Sequence, residues 1–399
     1  MGTLPHLSFA DVVPFIGTNR EKIEKILQSY GIQEKMSSFL AKSLEEDWRI
    51  SEDIPYEQKI WALQRGFLPS RIKLYGLTEH NYKDYLSDID YSFLHPLNNH
   101  FAIWINDKLT LKYVIPSIFC TMEGRKLSIL PHYYLYIEND GTYSFLMDAP
   151  KQIPRDENFL LNLLKEKSIL ALKPSRGQGG YGFVVLKYIE EEIFVNDRML
   201  DKDGFNQFKK KLNGYIVTEY VKQHKALDAV WHESVCTLRV VALKNRNKYF
   251  GGHLDIIVAY ARFGTAASSG ASNLSSRGVG IPYDFNTGQF GTEFYQYLKF
   301  SKNGEFKFPC HPDSKVSLAG KVLPHWDIAR DVIMSICDYL SSLEYFGFDL
   351  MVTDDGVKMC EINTFPDLCD GQVLCGPVLR NPSAKHFFEN KMAAKLHIK

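Results

Sequence analysis

In KPSRGQGGYGFVVL, Lys173 closes one apolar run, and Gly177, Gly179, Gly180 and Gly182 lead straight into another. Glycines at this density let backbone N–H groups approach phosphate oxygens with no side chain in the way. A P-loop would set Lys-Ser/Thr after its last glycine and then open a helix, and a dinucleotide-binding turn would open a helix too. Here a strand follows, so both fail on context. What remains is a β-hairpin flap with Lys173 at its base, able to fold over a triphosphate. A plain hairpin needs one or two glycines, so four of them beside Lys-Pro favour phosphate.

Far along the chain, FGFDLMVT and VKMCEINT flank the turn Asp354-Asp355-Gly356, a hairpin that sets Asp349 opposite Glu361 and Asn363. Glu361 and Asn363 are two apart and share a strand face. Hard oxygen donors of this kind suit Mg²⁺, which also takes phosphate oxygens and water. An exposed hairpin carries polar residues as well, but coincidence with the glycine flap favours metal. Arg239 stands alone in the apolar strand TLRVVAL. A buried guanidinium needs an anion. Glu361 or another strand carboxylate would make its role structural, a nucleotide phosphate would make it catalytic, and phosphate is preferred. Arg262, in YARFG, is a similar candidate.

Composition narrows the class. The 399 residues are 45% apolar and 24% charged, enough for a large core in two or three lobes. Forty-seven basic residues balance forty-seven acidic ones, so no global field draws the chain to nucleic acid or an anionic membrane. No run approaches roughly eighteen uncharged apolar residues, and MGTLPHLSFADVV has no basic region followed by an apolar core. His6 stands where a myristoylation signal needs Ser or Thr, so neither membrane insertion nor a lipid anchor is expected. The seven cysteines are scattered with no C-x-x-C pair, as suits a reducing cytoplasm. No persuasive Ser-His-Asp or Cys-His set is present.

Periodicity separates a helical first region from an α+β body, and a resemblance to the ATP-grasp superfamily divides that body into two lobes. Residues 1–100 form a mainly helical accessory region, with Thr18 or Asn19 capping a helix through Gln28 and further helices over 33–46 and 56–63. Its aromatics (Tyr75, Tyr82, Tyr85, Tyr91, Phe93) suit a core better than a sugar site. Residues 101–221 form a first α+β lobe opening with strands FAIWI and YYLYIE and carrying the flap. Residues 222–399 form a second lobe with the metal strands and a helix from about Trp326 to Leu343 across its sheet. Within the second lobe, ahead of that helix, GTAASSGASNLSSRGVG is bulk-free apart from Leu274, as either a mobile surface loop or a loop covering substrate.

In this order the residues resemble the ATP-grasp superfamily over roughly Asp107 to Gly376. The resemblance implies an α+β fold whose two lobes clamp ATP, with Mg²⁺ as cofactor. It places Lys108, or else Lys112, and Lys173 on the phosphates beneath a flap holding Ser175, Gly177, Gly179 and Gly180. It sets adenine against Glu219, Tyr220 and Val221, ribose against Asp228 or His224, and metal on Asp349, Glu361 and Asn363. RGFLPSRIKLYGL before DYLSD, EYVKQH, SVCTLRVV, YARFG, Asn273 and Gly278, HPDS and CEINTFPD resemble the sugar-transfer-associated branch found beside surface-polysaccharide genes. The segment around Asn273 and Gly278 is longer and less acidic than that branch. The resemblance implies a carboxylate–amine ligase working through an acyl phosphate. Its substrates would be a small amine and a sugar-linked carboxylate, with a glycosyltransferase as possible partner. The competing readings are a phosphotransferase acting on a sugar hydroxyl and a non-catalytic nucleotide-binding regulator. A regulator would be expected to lose one of Lys173, Arg239, Glu361 and Asn363.

Overall fold

A computed structural model describes residues 7–397 apart from 116, 178–181, 248–250, 269, 298–299 and 301–305. Asn19 accepts a hydrogen bond from Lys22 N at 2.9 Å and so starts α1 (Arg20–Ser29). α2 (Glu34–Ile50), α3 (Tyr56–Gln64), α4 (Arg71–Tyr75) and α5 (Asp88–Leu94) follow. α2 buries Leu40, Ala41 and Leu44 at helical spacing, and Ser87 caps α5 through Asp90 N.

FAIWI is not a strand. Residues 99–102 make a helical turn that runs into α6 (Ile103–Asn106), and Asp107 then caps α7 (Lys108–Val114) by accepting from Thr110 N at 2.8 Å. Five apolar residues fit a strand or a buried helical turn equally well, and the cap that breaks the tie belongs to the next element. A hairpin of β1 (Phe119–Met122) and β2 (Arg125–Ser128) completes this stretch. Ile105, Leu111, Ile115 and Leu130 share a hydrophobic cluster with the second of the two large sheets.

The first large sheet is antiparallel, in the order β4-β3-β9-β5-β6-β7-β8. Its strands are β3 (Tyr133–Ile137), β4 (Tyr143–Phe145), β5 (Ile169–Pro174), β6 (Val184–Ile189), β7 (Glu192–Val195), β8 (Arg198–Leu200) and β9 (Tyr215–Glu219). Leu170 and Leu172 point to the core built with α8 (Phe159–Lys167) and α9 (Lys202–Lys209). The period of two therefore turns Ala171 and Lys173 to the opposite face. After α10 (Lys225–Asp228) comes the second sheet, in the order β14-β13-β12-β11-β10-β15-β16. It comprises β10 (Thr237–Asn247), β11 (Gly251–Phe263), β12 (Val279–Pro282), β13 (Phe294–Tyr295), β14 (Lys307–Phe308), β15 (Tyr345–Thr353) and β16 (Gly356–Asn363).

The two faces of the second sheet are both covered. On one, Leu238, Val240, Phe346, Phe348 and Leu350 meet α11 (Trp326–Tyr339), the helix its amphipathic pattern predicts. On the other, Val241, Leu243, Tyr260 and Tyr345 pack with the N-terminal helices, α12 (Leu368–Cys375) and α13 (Pro382–His397). Full burial of one such side chain is worth about 2 kcal/mol, so the helical region is bonded to the sheet by core contacts. Arg239, Arg262 and Asp349 alternate with the residues facing α11 and lie on the face turned to the N-terminal helices.

One irregularity orients the end of β16. Asp349 pairs with Glu361 while Leu350 pairs with Met359, which leaves Cys360 as a bulge. Met359 is thereby fully buried toward α11 and Glu361 emerges beside Asp349 on the opposite face. The Ser/Gly/Ala tract is packed down, with Thr265, Ser268, Ser272 and Leu274 buried. A Cβ on Gly278 would lie 2.6 Å from Ser272 O and 2.9 Å from Phe263 O, so the missing bulk allows close packing. No helix among the described residues is long and apolar enough to cross a membrane.

Candidate functional site

Arg239 and Asp349 stand opposite one another on β10 and β15, a register that turns two isolated charges into a pair. Arg239 donates to both carboxylate oxygens, from Nε at 2.6 Å and from one terminal nitrogen at 3.1 Å. Arg262, from β11, reaches Asp349 Oδ1 at 2.9 Å and also donates to Thr237 Oγ1 at 2.9 Å and Asn273 Oδ1 at 3.1 Å. The anion Arg239 needs is thus a strand carboxylate here, and not the phosphate that the sequence favours. Burial opposes charge on Asp349, but Arg239 and Arg262 outweigh it and hold the carboxyl down at about 2.

Next to this triad, Asn363 Nδ2 donates to Glu361 Oε1 at 3.2 Å, with Asp349 Oδ2 at 3.5 Å. Three side chains from two strands thus share one surface, as the hairpin predicts. Lys108 joins it to the glycine loop: its Nζ lies 3.0 Å from Glu361 Oε2 and donates to Gly177 O at 2.9 Å. Its backbone N–H donates to Ser175 O at 3.1 Å, and Ser175 N donates to Gly214 O at 2.9 Å, so the loop stem is held at both ends. The stem is also held by Arg176, whose Nε donates to Asp107 Oδ2 at 3.2 Å. Gly179 and Gly180 lie outside the described residues.

Lys108 comes from the first turn of α7 and not from a β-rich segment. Lys112, one turn on, is turned away: it pairs with Asp148 at 2.7 Å and donates to Pro131 O at 2.9 Å. Lys173 has no ion-pair or hydrogen-bond partner among the described residues, and its Nζ sits 5.5 Å from the Tyr133 ring centre. Burial pushes its pKa down, and the nearby Cys360 and Glu361 only partly oppose that.

The remaining sequence candidates lie further along the first sheet and beyond it. Glu219 is the last paired residue of β9, after which Tyr220 and Val221 leave the ladder with their backbone groups free of it. Glu219 Oε1 is 3.5 Å from Lys358 Nζ, outside hydrogen-bond geometry, and is buried without a hydrogen-bond partner. Asp228 is exposed on α10, its Oδ1 accepting from Gln223 Nε2 at 3.1 Å, and His224 Nδ1 accepts from Ala226 N at 3.0 Å.

A cavity of about 510 Å³ opens over Arg239, Arg262, Asp349, Glu361 and Asn363. Sequence reasoning missed its far wall, which α2, α4 and α5 supply through residues such as Phe39, Arg71, Asp88 and Tyr91. Arg71 and Asp88 pair at 2.8 Å and fall within RGFLPSRIKLYGL and DYLSD, two runs that the sequence singles out without indicating that they meet. A family model described as sugar-transfer associated ATP-grasp matches residues 92–387.

The chain belongs to the sugar-transfer associated ATP-grasp family.

Solved structures similar to this ATP-grasp chain include an ADP complex of N5-carboxyaminoimidazole ribonucleotide synthetase, at 12% identity over 73% of this chain and 58% of that one, TM-score 0.38. Another is the ATP-grasp ligase PsnB complexed with a phosphomimetic variant of its minimal precursor, Mg and ADP, at 12% identity over 73% and 61%, TM-score 0.34. A third is D-alanine–D-alanine ligase from Bacillus anthracis, at 12% identity over 76% and 71%, TM-score 0.36. This chain thus spans less than two thirds of the length of the first two. A search of curated proteins finds no match. The ATP-grasp match begins at residue 92, so the helices lining the cavity's far wall lie mostly outside it.

Proposed function

We propose that this ATP-grasp chain is an ATP-dependent carboxylate–amine ligase, joining a small amine to a carboxylate carried by a sugar in surface-polysaccharide biosynthesis. The observation that carries the nucleotide site is Lys108, whose ammonium touches both the stem of the glycine loop and Glu361. The two strongest sequence signals therefore border one cleft. Lys173, half-buried on the cleft face of the first sheet and without an ion-pair partner among the described residues, supplies a second positive charge where a triphosphate would lie.

A carboxylate is a poor electrophile because its leaving group would be oxide. Phosphorylation supplies a good leaving group, and transfer of the γ-phosphoryl group rests on positioning and charge, without a nucleophilic side chain. Lys108 and Lys173 neutralise phosphate oxygens, while Arg239 and Arg262 present a rigid cationic wall that Asp349 holds in place. Ser175 and Gly177 set the stem of the glycine-rich segment, whose role would be to keep water from the acyl phosphate. Adenine would lie against the backbone of Glu219, Tyr220 and Val221, with Asp228 toward the ribose.

The donor set fits Mg²⁺. Glu361 offers a hard carboxylate oxygen, and Asn363, which here donates from Nδ2 to Glu361, would add its Oδ1 once the amide turns over, whereas Asp349, whose oxygens already accept from two arginines, has little capacity left and mainly orients the set. Bound there, Mg²⁺ would draw charge from the phosphate oxygens during transfer. The branch likeness supports the sugar-linked acceptor and a glycosyltransferase partner.

Incubation with ATP, Mg²⁺, a panel of sugar acids and hydroxylamine tests the reading. Hydroxylamine intercepts an acyl phosphate, so a hydroxamate together with ADP is expected, and an amide when a competent amine replaces it. ADP release with a stable sugar phosphate and no hydroxamate would instead establish a kinase.

A further inference from the structure

The cavity also carries acid that the proposed ligase chemistry does not use. Asp370, on α12, is 4% exposed, lines the cavity, and has one oxygen, Oδ1, buried with no hydrogen-bond partner among the described residues. Its other oxygen accepts from Tyr297 Oη at 3.0 Å, and the same hydroxyl stands 3.2 Å from Asp367 Oδ2. Asp367 caps α12, accepting from Cys369 N at 2.8 Å through its other oxygen. Neither carboxylate has an ion-pair partner among the described residues. The cations near Asp370, Arg71 and Arg239, are spent on other acids, Arg71 forking onto Asp88 at 2.8 and 3.2 Å and Arg239 onto Asp349 at 2.6 and 3.1 Å. An isolated buried carboxylate is costly unless a donor reaches it, so the orphaned oxygen of Asp370 marks the place of an absent positive donor.

We propose, resting on the ligase reading, that Asp367, Asp370 and Tyr297 form the subsite that recognises the primary ammonium group of the amine substrate. An ammonium offers three donors on one compact charge, which suits two converging carboxylates. A metal ion suits the corner less. Asp367, Cys369 and Asp370 do bring ligand atoms within 4.8 Å of one another. That set, however, combines a soft thiol with two carboxylates, whereas hard cations such as Mg²⁺ and Ca²⁺ call for oxygen donors alone. Burial and the neighbouring Asp367 raise Asp370, which a bound ammonium would reverse. Beside the acids, Tyr91 and Phe365 stack at 5.1 Å and Phe39 meets Phe365 edge-on at 6.2 Å, an apolar floor for the carbon body of the amine. Phe39 and Tyr91 precede residue 92, so part of this subsite lies outside the matched family segment and belongs to the helical region.

The test uses the full-length protein with ADP and Mg²⁺. Ethylamine, ethanolamine and 1,4-diaminobutane are titrated by saturation-transfer NMR beside ethanol, ethylene glycol and 1,4-butanediol. The amines should bind and the alcohols should not, and Asp370→Asn should weaken amine binding by about thirtyfold. Asp367→Asn, which keeps a capping side chain at an exposed position, serves as the second variant and should weaken it in the same sense. Equal binding of alcohols, no binding of any amine, or amine binding unchanged in both variants would overturn the subsite. Amine binding that depends on Asp370 in a protein unresponsive to ATP and Mg²⁺ would leave the subsite standing and remove the ligase reading.

Discussion

A lysine with no counter-ion inside a protein is held there against its own solvation. Among the described residues Lys173 has no counter-ion, and its depressed pKa records the cost. Lys173→Met should therefore raise the stability of the ligand-free protein at pH 7 by on the order of 1 kcal/mol while abolishing the response to ATP. The sign follows from the folded pKa lying below that of an unfolded lysine, about 10.4. The penalty is complete below the folded pKa and fades as pH rises from there toward the unfolded value, so the gap between variant and wild type should narrow in alkaline buffer. Urea unfolding at pH 7 and pH 9.5 measures it. A variant less stable than wild type would make Lys173 structural. Lys173, Glu361 and Asn363 were legible because they interrupt apolar strands. The partner of Arg239 was not, because Asp349 lies 110 residues away and only the register of β10 on β15 selects it.

At the scale of elements, alternation found the strands but not the defect that makes β16 work. Met359, Glu361 and Asn363 are spaced by twos and in a regular strand would share one face, yet Met359 belongs to the core under α11 and Glu361 to the cavity. The bulge at Cys360 reconciles them. Deleting Cys360 should force a choice between exposing Met359, at about 2–5 kcal/mol, and turning Glu361 into the core, whereas Cys360→Ala should cost far less. Thermal unfolding and ATP binding of the two variants check this, and a deletion as benign as the alanine would refute the role of the bulge. The same limit explains FAIWI, where Ile105 sits in a core reached by either conformation. It also explains the tract around Gly278, whose small residues signal close packing that composition cannot tell from a free loop.

At the scale of the molecule, the helical amino-terminal region and the mixed strand-and-helix character of the rest were legible from periodicity, and the family resemblance agrees with the match over 92–387. The docking of the helices was not. Their apolar residues announce a core without saying that it is shared with β10, β11 and β15. The result is one cavity with the Glu361–Asn363 pair at one end and the α2–α5 wall at the other. The account stands or falls on whether the glycine loop and that pair form a single metal-dependent nucleotide site. The most direct measurement is thermal unfolding of wild type and Glu361→Gln with ATP plus Mg²⁺, with ATP plus chelator, and without ligand. At about a hundred times the dissociation constant, ATP with Mg²⁺ should stabilise wild type by about 2.7 kcal/mol. Chelator or the Gln variant should remove most of that gain, with the ligand-free variant unfolding near wild type. No gain at millimolar ATP with Mg²⁺, or an equal gain in Glu361→Gln, would contradict it.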